Sequence, residues 1–358
     1  MNPLKIVLGT LSACLALAAW SQAPKPIILT FDGPEAGAAQ GQGTTPCGIL
    51  ANGIIFGYYT DASWVNHGFI RMPWGTMIQV DAPGAGTQPG QGTIVYAMNG
   101  SGVAVGFYVD PNNVNHGLLR TPDGRLTEIK IPGGGSEPGQ GVWAGNINAA
   151  GMISGIYLDE NNIYYYFLLS AQGALTTIDF GNANGFLAVM SYGLSPAGAA
   201  IAAYGDDVGA WHGWLRQQSG KLVDIDDPAA GTGAGQGTQL LSINARGTIA
   251  GVYIDAQSAY HGFLRGPDGR FANFDAPGSS DGGGTFPIAN NNLGLTTGYY
   301  WDPTGFNHGF LRTAGGWYAE IEVPGSQGTV PYGINLEGQV TGFYYDANYA
   351  AHGFLWIP

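Results

Sequence analysis

The chain is 358 residues long, 45% hydrophobic and only 10% charged, with 25 acidic residues against 12 basic and a formal net charge of −13. That length and apolar content allow a sizeable core, while 61 glycines imply either disorder or a fold built on turns. The acidic balance, with no run of Lys or Arg, disfavours nucleic-acid binding and attraction to anionic membranes.

Residues 1–23 have the pattern of a secretory signal peptide. Lys5 is basic, Ile6 to Trp20 is apolar, and Ser21-Gln22-Ala23 places small residues at −3 and −1. Cleavage after Ala23 would leave a mature chain of residues 24–358 in an extracellular or periplasmic space. The apolar run is too short to span a bilayer, so no transmembrane anchor is expected in the mature chain. Leu11-Ser12-Ala13-Cys14 offers a competing, lipobox-like reading with a lipid at Cys14. Cys47 is the only cysteine after residue 23, so no internal disulfide forms.

From residue 27 onward two anchors alternate. One is G-x-Y-x-D, ending at Asp61, Asp110, Asp159, Asp206, Asp255, Asp302 and Asp346. The other is H-G-F-L-R, whose first position is always six residues later: His67, His116, Tyr165, His212, His261, His308 and His352. Successive copies are 44 to 49 residues apart, a repeat of about 48 residues. Within 237–278 the runs LLSIN, TIAGVYID, HGFLR and RFANFD are bounded by Gly, Asn, Pro and Asp, as short strands are. Four strands per repeat, seven times, predict an all-β, seven-bladed β-propeller in one domain, expected to be a monomer.

The last copy lacks a fourth strand, and IILTFDGP (27–34) matches the missing piece, so the N-terminal strand is expected to close the ring. The near-identical linkers 82–93 and 131–142 are expected to be ordered. An in-register hairpin would set Asp255 opposite His261, Tyr253 opposite Phe263 and Gly251 opposite Arg265. Blade three departs from the pattern, with Tyr165 for His and Ser170 read as standing for Arg. Blade four, about 186–227, has Ala202 where the others have Gly.

His67-Gly68-Phe69 and His308-Gly309-Phe310 show the motif at its clearest. It resembles that of the bacterial extracellular HAF repeat, named for His-Ala-Phe, with Gly in place of Ala over nearly all of 27–358. The resemblance implies an exported protein and no established activity.

Candidate chemistry is sparse. The Asp/His pairs (Asp61/His67, Asp110/His116, Asp206/His212, Asp255/His261, Asp302/His308, Asp346/His352) occur once per repeat, which suits a structural bond better than a single active site. No G-x-S-x-G, H-E-x-x-H or P-loop is present, and no catalytic residue, metal site or cofactor is assigned. Aromatics near the second-to-third-strand loops (Trp64, Tyr164, Trp211, Tyr260, Phe306 and Tyr349) could form a sugar-binding surface. The function expected is a secreted binding protein for glycan, cell-wall material or another exported protein. The alternatives are a polysaccharide hydrolase or lyase with acidic or His residues in the central funnel, and a structural surface protein.

Overall fold

Short β-branched and aromatic runs between Gly, Pro and Asn turns favour antiparallel pairing of each run with the next. In the computed structural model, which describes residues 25–179, 190–280 and 284–358, the chain is all-β. The signal peptide, Cys14 and the start of the fourth repeat lie outside those residues.

The first unit pairs Gly43–Ile49, Ile55–Thr60, Asn66–Arg71 and Met77–Val80 in that order. The same order recurs over 92–129, 141–179, 190–225, 237–274 and 285–321. The last unit has three strands between 329 and 357, and Ile27–Phe31 lies antiparallel to the third, with Ile27 opposite Ile357. Each unit thus has two ends. The turn end holds the row Ile49, Ile55, Arg71 and Met77; the loop end holds Gly43, Thr60 and Asn66.

The core lies between units. Val105 and Ile129 of the second unit pack with Val142, Ile153 and Phe167 of the third. Phe69, Phe167, Phe263, Phe310 and Phe354 repeat at one third-strand position and are fully buried, each contributing about 1.5–3 kcal/mol.

At the loop end each first strand starts against its neighbour's third strand. Gly43, Gly92, Gly141 and Gly237 have φ of 107–113°. They bridge in parallel to Ala351, Asn66, Asn115 and Trp211. A Cβ on any of them would overlap that partner's carbonyl oxygen. The following Thr44, Thr93 and Thr238 are buried and accept the N–H of Gly33, Ala82 and Asp227 where the preceding unit exits. The preceding Gln42, Gln91 and Gln140 accept linker N–H groups and donate to loop carbonyls of their own unit. Linkers 82–93 and 131–142 are ordered for this reason.

At the turn end a relay of buried carboxamides joins the units. Asn99 donates to the Asn148 carbonyl and Asn148 to that of Ser195. Asn244 donates to Asn291, Asn291 to Asn335, and Asn335 to Leu50. The same turn position holds Leu50 in unit 1, which has no donor, and Ser195 in unit 4, whose hydroxyl accepts from Ala199 in its own turn.

Two registers differ from expectation. His261 stands opposite Tyr253, Phe263 opposite Gly251 and Arg265 opposite Ile249. Asp255 belongs to the loop, because its Oδ1 accepts the N–H groups of Gln257 and Ala259. In unit 3, Leu169 stands opposite Ile153, as Arg71 stands opposite Ile55, so Leu169 and not Ser170 takes the Arg position.

Gly90 and Gly92 separate strain from overlap. Both have positive φ, but an added Cβ meets nothing at Gly90 and the Asn66 carbonyl at Gly92. Urea denaturation is expected to show Gly90→Ala costing about 1 kcal/mol and Gly92→Ala about 3 kcal/mol. Equal costs would mean that the junction does not depend on this contact.

Candidate functional site

The repeated histidines are held between two carboxylates and over a ring. Nε2 of each of the six lies 3.3–3.6 Å from its loop Asp. Nδ1 lies 2.9–3.1 Å from a fourth-strand acid: Asp81, Glu128, Asp226, Asp275, Glu322 or Asp32. The imidazole stacks on the Tyr opposite, with centroids 4.8–5.3 Å apart. In unit 3 Tyr165 takes the same place, 4.9 Å from Tyr157. In five units the second acid was legible as the Asp or Glu two residues before a linker Pro, but in unit 2 that position is Lys130 and Glu128 of the strand takes the role, and only the fold brings either to the ring.

Burial opposes the charged imidazole of His212, yet hydrogen bonds and charge from Asp226 and Asp206 raise its pKa overall. His308 behaves likewise between Asp302 and Glu322. Asp255 is held low by the Ala259 N–H first and by His261 among other donors, and Asp302 by the Thr304 hydroxyl first. His308, Glu320 and Glu322 place three donor atoms within 4.8 Å of one another. This is the common His–acid contact with one further carboxylate, and an imidazolium accounts for it.

The six loop aromatics do not form one platform. Trp64 and Tyr349 follow their loop Asp by three residues, Phe306 by four, and Tyr164, Trp211 and Tyr260 by five. The last three begin third strands and are half-buried. Tyr260 packs on Phe286 and Trp301 of the next unit, with centroids 5.3 and 6.3 Å away. Trp64 and Tyr349 are 44% and 47% exposed and flank one linker: Gly41 N donates to the Tyr349 carbonyl, and a Cβ on Gly41 would lie 3.2 Å from the Trp64 ring.

A second feature was not legible in the sequence. Every first strand has a β-bulge. Bulge residues Cys47, Tyr96, Gly145, Leu241, Ile288 and Tyr332 line a cavity of about 580 Å³ with Trp143, Phe107, Phe56 and Met98. A bulge adds a residue and breaks the strict alternation that a sequence reading follows. Burial pushes the Cys47 thiol up to about 12, which keeps it protonated and unreactive near neutrality. None of the described lining residues is Asp, Glu, His, Lys or Arg. The acidic or His cluster that a hydrolase or lyase would place in the funnel is not found among them.

Structural comparison places the architecture. The BP39L lectin from Burkholderia pseudomallei matches with a TM-score of 0.54 at 13% identity, over 91% of this chain and 96% of the lectin. The β-propeller domain of the Trilobed protease from Pyrococcus furiosus matches with a TM-score of 0.54 at 8% identity, over 89% of this chain and 96% of that domain. The fold is a β-propeller. Sequence comparison matches this propeller to no protein-family profile and to no curated protein. No helix among the described residues is long and apolar enough to cross a membrane.

The histidine sandwiches make the stability of this propeller depend on pH. The raised folded pKa of His212 and His308 means that their contribution is complete below the unfolded value near 6.5 and fades as pH rises through the folded value. The lowered pKa of Asp255 means that its contribution is present above about 3.8 and fades as pH falls through the folded value. The melting temperature is expected to be higher at pH 5.5 than at pH 8.5 by about 2–4 °C. His212→Gln with His308→Gln should shrink that difference; an unchanged difference would show that other groups set it.

Proposed function

We propose that the protein is an exported, seven-bladed β-propeller, closed by Ile27–Phe31, that binds glycan or cell-wall material at its loop end. On this reading it is a His-Gly-Phe member of the HAF-repeat proteins. The pairing of Ile27–Phe31 with Ala351–Ile357 and the donation from Asn335 to Leu50 support closure.

The observation that carries the binding reading is the pair Trp64 and Tyr349. Both have φ near +60°, at a turn position filled elsewhere by Asn113, Asn162, Gly209, Ser258 and Gly305. A left-handed residue with a side chain costs roughly 1–2 kcal/mol, least for Asn and most for bulky residues. Two aromatic side chains are therefore held exposed, against local preference, in turns that meet at the Gly41 linker. Strain retained at an exposed aromatic pair points to function, and such faces stack on sugar rings. A lectin among proteins of similar fold agrees with this, although fold alone does not imply function.

Trp64→Asn and Tyr349→Asn use the residue that the same turn carries in units 2 and 3, so both variants should fold. On a glycan array followed by calorimetry, each is expected to weaken binding about tenfold. No binding to any glycan, or affinities unaffected by both changes, would refute the proposal. Product release from a bound polysaccharide would replace it with the hydrolase or lyase reading.

A further inference from the structure

Sorting charged residues by strand end separates them almost completely. The repeat arginines Arg71, Arg120, Arg216, Arg265 and Arg312 close third strands and so lie at the turn end. Lys25, Arg125, Lys221, Arg246 and Arg270 lie there as well, all exposed. Among the described residues, this end has ten basic side chains against Asp123, Asp268 and Glu337. The loop end has twenty-one acidic side chains against Lys130 alone. The net charge of −13 averages two faces of opposite sign. The repeat arginines are partly occupied: Arg312 lies 4.4 Å over the Phe274 ring and Arg71 4.6 Å over Phe31. Of the exposed five, Arg270 lies 3.7 Å from Asp268 at the same turn, and Lys25, Arg125, Lys221 and Arg246 extend the basic face.

Four large apolar side chains stand out from the same face. Trp74 and Trp317 are 73% and 74% exposed, and Leu293 and Leu336 are 60% and 44% exposed. They belong to units 1, 6, 6 and 7. The donations from Asn291 to Asn335 and from Asn335 to Leu50 set the first turns of these three units side by side. The chain also enters the fold here, since Ile27 pairs with Ile357 at the turn end of the last unit. The sequence preceding that point includes the apolar stretch Ile6 to Trp20.

We propose that the turn end of units 5, 6, 7 and 1, where the Asn244-to-Asn291 bond sets the Arg246 turn beside unit 6 and Lys25 enters at unit 7, docks on the surface of an anionic lipid bilayer. Tryptophan partitions to the headgroup level, leucine enters below it, and Lys and Arg meet the lipid phosphates. A nucleic acid would engage the basic side chains but leave Leu293 and Leu336 without a role. The acidic face does not forbid the contact. Six-residue strands hold the two faces about 20 Å apart, and the Debye length in physiological salt is about 8 Å. Docking by this face leaves the loop end facing outward.

Residues 24–358 include every described strand, so they serve as the test protein. Sedimentation would use vesicles of phosphatidylcholine alone and with about 30% phosphatidylglycerol. Binding is expected to the anionic vesicles only. It should fall about tenfold or more in Trp74→Ser/Trp317→Ser, in Lys25→Ser/Arg246→Ser, and in about 0.5 M salt, with melting temperatures unchanged. No binding to either vesicle, equal binding to both, or binding undiminished in the Trp pair would overturn the proposal. The glycan array is a separate assay of the opposite face, so either result stands without the other.

Discussion

Contact between a glycine Cα and a neighbouring carbonyl sets the geometry of this molecule. Gly43, Gly92, Gly141 and Gly237 take a φ that side chains avoid and approach a third-strand carbonyl that any Cβ would overlap. That approach fixes how closely each first strand meets the unit before it. After Gly43, Gly92 and Gly237 a buried Thr then binds the exit of that unit, with Val142 in its place after Gly141, and the Gln that precedes folds the linker over the junction. Three consecutive residues thus control contact, exit and cover. The junctions that start at Gly284 and Gly328 use shorter linkers, with Gly283 in place of the Gln at the first and Gln327 at the second. There the spacing between repeats drops to 47 and 44 residues.

The two ends solve the problem of joining units differently. At the turn end, neutral carboxamides pass hydrogen bonds from one turn to the next. The relay fails only where Leu50 and Ser195 replace Asn, which divides it into two runs. At the loop end the Gly that starts a first strand, with the Thr where one follows it, makes that join, and the charge-assisted bonds lie within a unit, with imidazole between two carboxylates over a tyrosine. The loop end accumulates carboxylates because each unit needs two of them, one to cap its loop and one to hold Nδ1. The turn end accumulates arginines because five of the seven third strands have an Arg at this position, where its side chain reaches the next turn as Arg71 does toward Met72, while Leu169 and Trp356 take the position in units 3 and 7. Charge polarity is therefore a by-product of repetition: any unit that obeys the pattern adds acid to one face and base to the other.

Much of the fold was legible because its constraints act on residue type. A glycine needed for positive φ, a proline in a linker and a loop-capping Asp recur at fixed spacing, and the four strands fall between them. What was not legible depended on counting along the strand. Asp255 looks like the strand residue that faces His261, yet its side chain ends the strand by accepting two loop N–H groups, and the register moves by one pair. The Arg position of unit 3 needs no such shift: Leu169 stands four residues after Tyr165, as Arg71 stands four after His67, and the register is the same. The aromatics Trp64, Phe306 and Tyr260 look alike as loop residues, but they occupy three different offsets from the capping Asp, and only the first offset holds a ring out in left-handed geometry. The bulge residues were hidden for a related reason. An added residue in each first strand turns Cys47, Tyr96 and Tyr332 to the channel without any change in composition.

The acidic loop end bears on which glycan could occupy it. Trp64 and Tyr349 stand among carboxylates that a neutral sugar can use as hydrogen-bond acceptors without an electrostatic penalty. A uronate-rich or phosphorylated polymer would bring like charge to a face that holds one lysine. The histidines offer little relief, because each ring is already engaged by two carboxylates of its own unit. The aromatic pair and the surrounding charge therefore favour neutral or amino-bearing sugars over acidic ones. On the proposed membrane contact, the opposite face, poor in carboxylates and bearing Trp74 and Trp317, would favour anionic headgroups by the same electrostatic rule. One repeated pattern of Asp at the loop and Arg at the turn thus gives the two faces opposite charge.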